Sequence, residues 1–219
     1  NVILGDNVVI HGYCEIGVHS FGDNKKPLKI GDNSLIRSKS IFYTGSTFGP
    51  ELITGHNVIV RENVIAGKNL QLGTFSDVQG DCEIGDYVKC HSSVHIGKSS
   101  RIGSFVWIYP FVVLTNDPTP PSLNRERITI ENYVVIATSS TILPGLTIKE
   151  GTVIAAHSKV TKNTKPHTLI AGKPAKEICA TFKIKLKNDK KISAYPWTKH
   201  FHRGYPPEVV KEWKKKFKN

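Results

Sequence analysis

The chain has 219 residues, a formal net charge of +12 at pH 7 and 39% hydrophobic residues, so it is long enough to bury one good core. Residues 1–161 hold 14 Lys+Arg and 14 Asp+Glu, whereas residues 162–219 hold 16 and 4. This uneven charge argues against a uniformly basic nucleic-acid-binding protein. No segment approaches the roughly 18 apolar residues of a membrane span, and no signal peptide is visible. We therefore expect no nucleic acid partner and no integral membrane segment.

Branched aliphatic residues recur at every sixth position in long runs. The runs are Leu4, Ile10, Ile16; Ile30, Ile36, Phe42; Ile53, Ile59, Ile65; positions 72–114; and positions 130–160, with Phe42 and Cys90 as the exceptions to the aliphatic pattern. A period of six fits neither a helix nor an alternating strand, but it fits one short strand and one turn per side of a three-sided solenoid. Small residues two places earlier, such as Ser76 and Ser140, support the same inward phase. The sequence therefore predicts an all-β fold of stacked parallel coils.

The six-residue phase is interrupted at four places, which predict insertions on the solenoid. The interrupted intervals are 16–30, with the polar residues 22–26; 42–53; 65–72, with one extra residue; and 114–130. The last interval contains Pro118, Pro120 and Pro121, which cannot join a strand ladder. We expect a loop at one corner of a rigid prism, where functional residues are well placed.

The repeat ends after Val160, so we divide the chain into a β-helix at 1–165, with a corner loop at 115–129, and a basic segment at 166–219. One or two short helices are expected in this segment, the first near Ala175 and the last from Pro206 or Pro207. The last helix has an apolar face of Val209, Val210, Trp213 and Phe217, and a second face of Lys211, Lys214, Lys215 and Lys218. We expect the apolar face to pack on the solenoid, the alternative being a role at a membrane surface.

The four cysteines are neither closely spaced nor arranged as Cys-x-x-Cys. Cys14, Cys82 and Cys90 fall on predicted inward positions, so we interpret them as apolar filler in a reducing compartment. We therefore expect a cytoplasmic protein.

Several motifs together resemble one family. They are the hexads, the corner loop after Leu114, the segments 136–138 and 143–145, the turn 160–162 and the ending Ala171-Gly172-Lys173-Pro174-Ala175-Lys176. Over residues 1–178 the chain resembles the left-handed parallel β-helix acyltransferases. The segment 114–118, Leu-Thr-Asn-Asp-Pro, resembles the bacterial members that N-acetylate amino sugars on nucleotide carriers for surface polysaccharides. The resemblance implies an all-β, left-handed parallel β-helix with a short C-terminal helical extension.

The resemblance also implies a homotrimer that holds acetyl-CoA in the groove between two prisms. Exposed backbone at the corners would then bind the pantetheine arm, around Ala137, Thr138, Ala155 and Ala156. Lys162, Lys173 and Lys176, with Pro174, would meet the phosphates, although they could equally be solvated lysines.

Acetyl transfer requires a bound amine or hydroxyl, a proton acceptor and donors for the developing oxyanion. No acyl-enzyme cysteine is indicated, so direct attack on the thioester is the economical mechanism. The catalytic candidates are His91, His95, Asn116 and Asp117, and one 18-residue coil places His95 beneath Val113. The O-acetyltransferases of this fold commonly carry His-Pro where this chain has Asp117-Pro118, which favours an amine acceptor.

For the acceptor, a small nucleotide-linked sugar, the candidate binding residues are His56, Arg61, Glu62, Trp107 and Tyr109. The rings of Trp107 and Tyr109 could stack on a sugar or a base. No Gly-rich phosphate loop identifies the nucleotide.

Three alternatives stay open. The chain could be a sugar O-acetyltransferase, a non-catalytic or sugar-binding solenoid, or a zinc enzyme like the gamma-type carbonic anhydrases, with His56, His91 and His95 as ligands. These histidines follow their preceding predicted aliphatic residue by three, one and five positions, whereas ligands should recur at matched corners. We therefore expect no metal.

Overall fold

The computed structural model describes residues 1–20 and 26–217, and within them three parallel sheets surround one core. Face 1 contains Val2–Leu4, Leu28–Ile30, Thr47–Phe48, Ile65–Ala66, Glu83–Ile84, Arg101–Ile102, Thr129–Ile130 and Thr147–Ile148. Face 2 contains Val9–Ile10, Leu35–Ile36, Ile53–Thr54, Gln71–Leu72, Lys89–Cys90, Trp107–Ile108, Val135–Ile136, Val153–Ile154, Thr168–Gly172 and Ala175–Ala180. Face 3 contains Glu15–Val18, Ile41–Tyr43, Ile59–Val60, Asp77–Val78, His95–Ile96, Val113–Leu114, Thr141–Ile142 and Lys159–Val160.

Each strand pairs with the equivalent strand of the coil above and below, as Asp77 does with Ile59 and His95. The chain passes from face 1 to face 2 at corner 1–2, then to face 3 at corner 2–3, and returns to face 1 at corner 3–1. The expected fold class, a left-handed parallel β-helix with a short C-terminal helix, is confirmed.

The interior is filled by the sixth-position side chains and by the small residues two places before them. Ser76, Ser140 and Ser158 are at most 1% exposed, and the Ser158 hydroxyl donates to the Ala155 carbonyl oxygen at 2.7 Å. Burial raises the pKa of the Cys82 thiol to about 11 and that of Cys90 to about 12. Both thiols are therefore neutral and weakly nucleophilic.

The hexad phase runs from Ile30 to Leu114 without the two interruptions expected at 42–53 and 65–72. The inward residues there are Phe48, Thr54, Val60 and Ala66, all at most 5% exposed. The assignment of Ile53, Ile59 and Ile65 to the core was wrong, since these side chains point outward and Ile65 is 59% exposed. A buried threonine is tolerated at position 54 because its hydroxyl accepts a hydrogen bond from the Arg37 amide at 2.9 Å.

The coil that contains residues 114–130 is longer than its neighbours, because Val113 pairs directly with Thr141. Of the insertion expected between Ile16 and Ile30, residues 22–25 lie outside the described part of the chain. A register shift between Ile16 and Val18 begins that interval.

The helix expected near Ala175 is absent from the structure, which places a strand there. Thr168–Gly172 extends face 2 in parallel beside Val153–Ile154, beyond the predicted end of the solenoid at 165. The chain turns at Gly172, whose φ is +104°, and Ala175–Ala180 returns antiparallel. The physical reason is that the last parallel strand leaves an open edge, and a returning strand pairs with that edge.

Residues 181–217, which we call the tail, pack on face 2 and corner 1–2. The tail contains the 3₁₀ turns Thr181–Lys183 and Trp197–Lys199 and the helix Pro207–Lys216. As expected, the apolar face of this helix is buried, with Val209 6% and Trp213 2% exposed. Its aromatic partners on the solenoid are the stacked rings of Tyr87, Phe105 and Tyr133. Lys218 lies outside the described residues.

Candidate active site

Asp77 and His95 occupy equivalent outward positions on adjacent coils of face 3. Their strands pair in register, so the solenoid itself brings the two side chains together. His95 Nδ1 lies 3.0 Å from Asp77 Oδ2. Because a carboxylate can only accept, Nδ1 carries the proton and Nε2 is left as the basic nitrogen. Within the described residues, Nε2 makes no hydrogen bond.

The carboxylate of Asp77 is held in its charged form. Partial burial raises its pKa, but hydrogen bonds donated by His95 and by Gln79 at 2.8 Å outweigh that effect, helped by the charges of His95 and Arg61. The net result is a pKa below the usual value. Sequence reasoning missed Asp77, although its spacing of one 18-residue coil from His95 could have revealed the pair.

Asn116 lies beside the strand of His95, where the corner loop leaves the prism at corner 3–1. A Cβ atom at Gly97 would lie 3.4 Å from Asn116 Cβ and 2.6 Å from the Leu114 carbonyl oxygen, so glycine permits this close stacking. The Asn116 carbonyl oxygen accepts a hydrogen bond from the Glu126 amide at 2.8 Å, which holds the loop base closed. His95 and Asn116, both predicted from the sequence, therefore lie on adjacent coils, with Asn116 next to Gly97.

Asp117 organises the corner loop through both carboxylate oxygens. Oδ1 accepts from the Ser122 hydroxyl at 2.7 Å and the Thr119 amide at 3.1 Å, and Oδ2 accepts from the Ser122 amide at 3.0 Å and Arg125 Nη1 at 3.1 Å. The Ser122 hydroxyl, the two amides and the Arg125 charge together lower the pKa of Asp117. A carboxylate so fully engaged is a weak proton acceptor, and this geometry favours a structural role for Asp117.

Arg61 and Glu62 lie on the same corner 3–1, nearer the N-terminal end. Arg61 Nε donates to Glu62 Oε2 at 3.0 Å, and the guanidinium also lies 4.9 Å from the centre of the Tyr43 ring. The two predicted acceptor-binding side chains are thus paired with each other.

His91 lies on corner 2–3, on the other side of face 3 from the loop. Its ring stacks on Tyr109 with centroids 4.6 Å apart, and burial lowers its pKa, so it is neutral at pH 7. His56 lies on the same corner, two coils away, with Nδ1 2.8 Å from the Ser38 hydroxyl. The register of His56 relative to the core differs from our expectation, since it follows inward Thr54 by two positions. Within the described residues, no group of three or more His, Cys, Asp or Glu side chains could hold a metal ion.

The predicted pantetheine positions continue along corner 2–3 towards the C-terminal end. Ala137 and Ala155 follow Tyr109 at equivalent positions of successive coils, and the Thr138 hydroxyl donates to the Pro110 carbonyl oxygen at 2.7 Å. Ala156 occupies the position equivalent to Thr138 in the next coil. This part of the corner therefore carries only small side chains.

A depression of about 330 Å³ lies at the C-terminal end of the prism. Lys162, Pro174 and Lys176 line it together, with Lys165, whose ammonium lies 3.0 Å from the Glu177 carboxylate. Lys173 is exposed at the turn between the last two strands and is not among the lining residues. Three of the four predicted phosphate-binding residues thus share one basic depression.

Trp107, predicted to stack on a substrate, is instead covered by the tail. Its Nε1 donates to the Tyr205 hydroxyl at 3.1 Å, and its ring meets Trp197 and Phe201 edge-on. Tyr109 remains 38% exposed at the edge of the tail.

In the described residues, no helix is long and apolar enough to cross a membrane.

Two curated proteins are similar to the chain in sequence. Over 134 residues the chain is 31% identical to the putative lipopolysaccharide biosynthesis O-acetyl transferase WbbJ of Escherichia coli K12, a match covering 53% of this chain and 68% of that protein. Over 163 residues it is 27% identical to the bifunctional protein GlmU of Herminiimonas arsenicoxydans, covering 74% of this chain and 33% of that protein. The chain spans about a third of the length of the GlmU relatives it matches.

A solved structure shares the fold. The UDP-N-acetylglucosamine acyltransferase from Campylobacter jejuni superposes with a TM-score of 0.58 at 18% identity, covering 99% of this chain and 79% of that chain. No protein-family model matches the chain.

Proposed function

Because the chain belongs to the hexapeptide-repeat acyltransferase family, we propose that it is an acetyl-CoA-dependent acetyltransferase. Its acceptor is an amino sugar on a nucleotide carrier, its product is the N-acetylated sugar, and surface polysaccharide synthesis is the process it serves. The observation that carries this proposal is the Asp77–His95 pair on face 3, which holds a histidine in the tautomer of a general base.

The proposed reaction needs one proton acceptor and no covalent enzyme intermediate. The acceptor nitrogen attacks the thioester carbonyl carbon, the carbon–sulfur bond breaks, and the nitrogen loses one proton to His95 Nε2. His95 then returns that proton to the sulfur, which leaves as a free thiol. Asp77 stabilises the imidazolium formed in between, and it keeps Nδ1 protonated throughout. Asn116, on the coil next to that of His95 and close to Gly97, is the proposed orienting group for the acceptor.

The small side chains at Ala137 and Ala155 suit an extended amide chain, because the corner backbone stays accessible there. The depression containing Lys162 and Lys176 suits the phosphates of acetyl-CoA, since both ammonium groups are exposed and neither lies within 4 Å of a carboxylate among the described residues. Lys173, at the nearby turn, adds to the same positive potential.

Within one copy of the chain, the proposed catalytic residues and the proposed pantetheine positions lie on different corners of the prism. His95 and Asn116 border corner 3–1, while Ala137 and Ala155 lie on corner 2–3, and face 3 lies between them. A groove between two copies would bring corner 3–1 of one against corner 2–3 of the next, which supports a homotrimer. Large apolar side chains are exposed where such a contact would form: Phe75 is 64%, Phe111 62% and Leu123 101% exposed.

O-acetylation of a sugar hydroxyl is the second candidate. A hydroxyl acceptor depends on a general base more than a neutral amine does, and the Asp77–His95 pair could supply one. The WbbJ relative is itself named as an O-acetyl transferase.

The test is release of free thiol from acetyl-CoA with a panel of nucleotide-linked amino sugars and their hydroxyl analogues. We expect the wild type to turn over an amino sugar, and we expect His95→Asn to reduce that turnover rate by a factor of about 10² or more. His11→Asn is the matched control, since His11 is exposed on the first coil. Turnover with hydroxyl analogues alone would favour the second candidate, and equal turnover in His95→Asn would remove His95 from the mechanism.

A further inference from the structure

A cleft of about 300 Å³ lies between face 2 and the tail. Its aromatic lining comes from both sides: Trp107 and Tyr109 on the solenoid, and Tyr195, Trp197, His200 and Phe201 on the tail. The proposed acetyl transfer uses none of these residues, although Trp107 and Tyr109 were expected from the sequence to stack on a sugar or a base. The tail is therefore more than a cap, because half of the cleft belongs to it.

The walls of the cleft are held in place by contacts outside it. Trp213 is 2% exposed and packs edge-on against Trp197 and Tyr205, with centroids 5.2 and 4.7 Å apart. Tyr205 in turn accepts the hydrogen bond from Trp107 Nε1. A ligand entering the cleft would meet walls that are already ordered, so little conformational entropy is lost on binding.

The lining suits a flat ring. The ring centroids of Trp107 and Tyr109 lie 6.3 Å apart, with the ring planes inclined by 30°. Every nucleobase has an aromatic face that can stack on such rings. Trp197 is 7% exposed, and its Nε1 donor has no acceptor among the described residues. That atom is fully buried, so it adds nothing to the polar surface of the cleft.

The buried ammonium group of Lys89 lies next to Trp107, one of the solenoid residues that line the cleft. Lys89 is 8% exposed, and its ammonium lies 5.2 Å from the Trp107 ring centre and 4.9 Å from that of Tyr205. No carboxylate of the described residues lies within 4 Å of it. Because no carboxylate balances this charge, it favours an anionic ligand, such as a nucleotide, over a neutral sugar.

We propose that this cleft binds the nucleobase of the nucleotide that carries the acceptor sugar, an assignment that rests on the proposed function for the acceptor's class. Tyr109 belongs both to the cleft and to corner 2–3, where it stacks on His91. A base stacked here places the attached sugar along corner 2–3. The adenine of CoA is a poorer occupant, because the basic depression lies about three coils, roughly 14 Å, further along the prism axis.

The test uses UDP and dTDP as separate probes, titrated by calorimetry into the full chain. Tyr195→Leu and Phe201→Leu should each weaken UDP or dTDP binding about tenfold or more, the usual scale for a lost stacking contact. Affinity for CoA should stay within about twofold, since the basic depression is untouched. Phe182→Leu is the matched control, because Phe182 is on the same tail, 61% exposed and absent from the cleft lining.

Unchanged nucleotide affinity in both cleft variants overturns the proposal, as does inorganic pyrophosphate binding as tightly as UDP. If a variant misfolds and loses binding of both UDP and CoA, saturation-transfer NMR of UDP bound to the wild type tests the proposal instead. Strongest saturation of the base protons supports nucleobase binding in the cleft, and strongest saturation of the ribose protons overturns it. The two proposals fail separately. If the cleft variants lose nucleotide binding but the wild type acetylates no nucleotide-linked amino sugar, the proposed function is refuted. The assignment of the cleft as a nucleobase site then still stands.

Discussion

His95 Nδ1 and Asp77 Oδ2 lie 3.0 Å apart across one coil of the solenoid. Strand pairing holds both residues at the same position of their coils, so the pair is built by the backbone ladder and not by a flexible loop. A base on a rigid element is held at a fixed distance from its substrate, which is the main requirement for efficient proton transfer.

Asp77→Asn should lower kcat by roughly 10- to 100-fold and leave the KM for acetyl-CoA unchanged. The amide keeps the shape of the carboxylate but can neither stabilise an imidazolium nor enforce protonation of Nδ1. Steady-state kinetics measure the effect. Glu83→Gln is the control, since it breaks a comparable surface pair, with Arg101 at 3.0 Å on face 1. Equal losses in both variants would point to a general effect on the prism.

The same substitution should have a pH-dependent effect on stability. The pKa of Asp77 in the folded protein is below the usual 3.8, so its charged form stabilises the fold above that pH, and this stabilisation is lost as the pH falls through the folded value. Wild type should therefore melt a few degrees above Asp77→Asn at pH 6, and the difference should shrink as the pH falls below 3.8. Thermal melts followed by circular dichroism measure both. A difference that grows on acidification would contradict this sign.

Asp117→Ala should release the corner loop without unfolding the solenoid. The carboxylate anchors Thr119, Ser122 and Arg125, and the loop carries no strand of its own. Trypsin cleavage after Arg125 should become about tenfold faster, while the melting temperature changes by only a few degrees. Ser122→Ala, which removes one of these partners, should give an intermediate rate. Identical cleavage rates in all three proteins would show that the loop is held by other contacts.

Reversing the charges of the basic depression should weaken CoA binding. Lys162→Glu combined with Lys176→Glu replaces attraction for the phosphates by repulsion, and we expect at least a tenfold loss of affinity at low ionic strength, reduced by added salt. Adding Lys173→Glu should weaken binding further. The control is Lys190→Glu with Lys191→Glu, the same change of net charge on an exposed part of the tail. If the control weakens binding equally, the total charge matters and the depression does not.

The chain should assemble as a homotrimer. Light scattering at micromolar concentration should give three times the chain mass of 24.3 kDa. Phe75→Ser with Phe111→Ser should shift the mass towards that of the single chain, because both exposed rings lie on the corner proposed to meet a neighbouring copy. Phe182→Ser, an equally exposed ring on the tail, should leave the mass unchanged. A single-chain mass for the wild type would contradict the intersubunit groove.

Much of the fold could be predicted because it is periodic. In stacked coils an inward position recurs every six residues, so the core positions from 72 to 114 and from 130 to 160 follow from local spacing alone. The same spacing places His95 one coil from Asp77. It failed at positions 48–66, where aliphatic residues at 53, 59 and 65 face outward and Thr54 and Ala66 face inward. A polar side chain can occupy a core position when its polar group is hydrogen-bonded there, as the Thr54 hydroxyl is. Side-chain type alone therefore does not predict burial at such positions.

Contacts between distant parts of the chain were decided by the tertiary structure. Trp107 and Tyr205 are hydrogen-bonded although they are 98 residues apart in the sequence. A six-residue period does not predict that the tail covers face 2, or that Trp107 therefore lines a cleft instead of being an exposed ring. The strand at Ala175–Ala180 likewise depends on a sheet edge that exists only once the coils are stacked. Asp117 acquires its partners from a non-repetitive loop. Periodic backbone pairing makes the prism and the Asp77–His95 pair a local property of the sequence, whereas the corner loop, the cleft and the tail depend on packing between segments that no repeat relates.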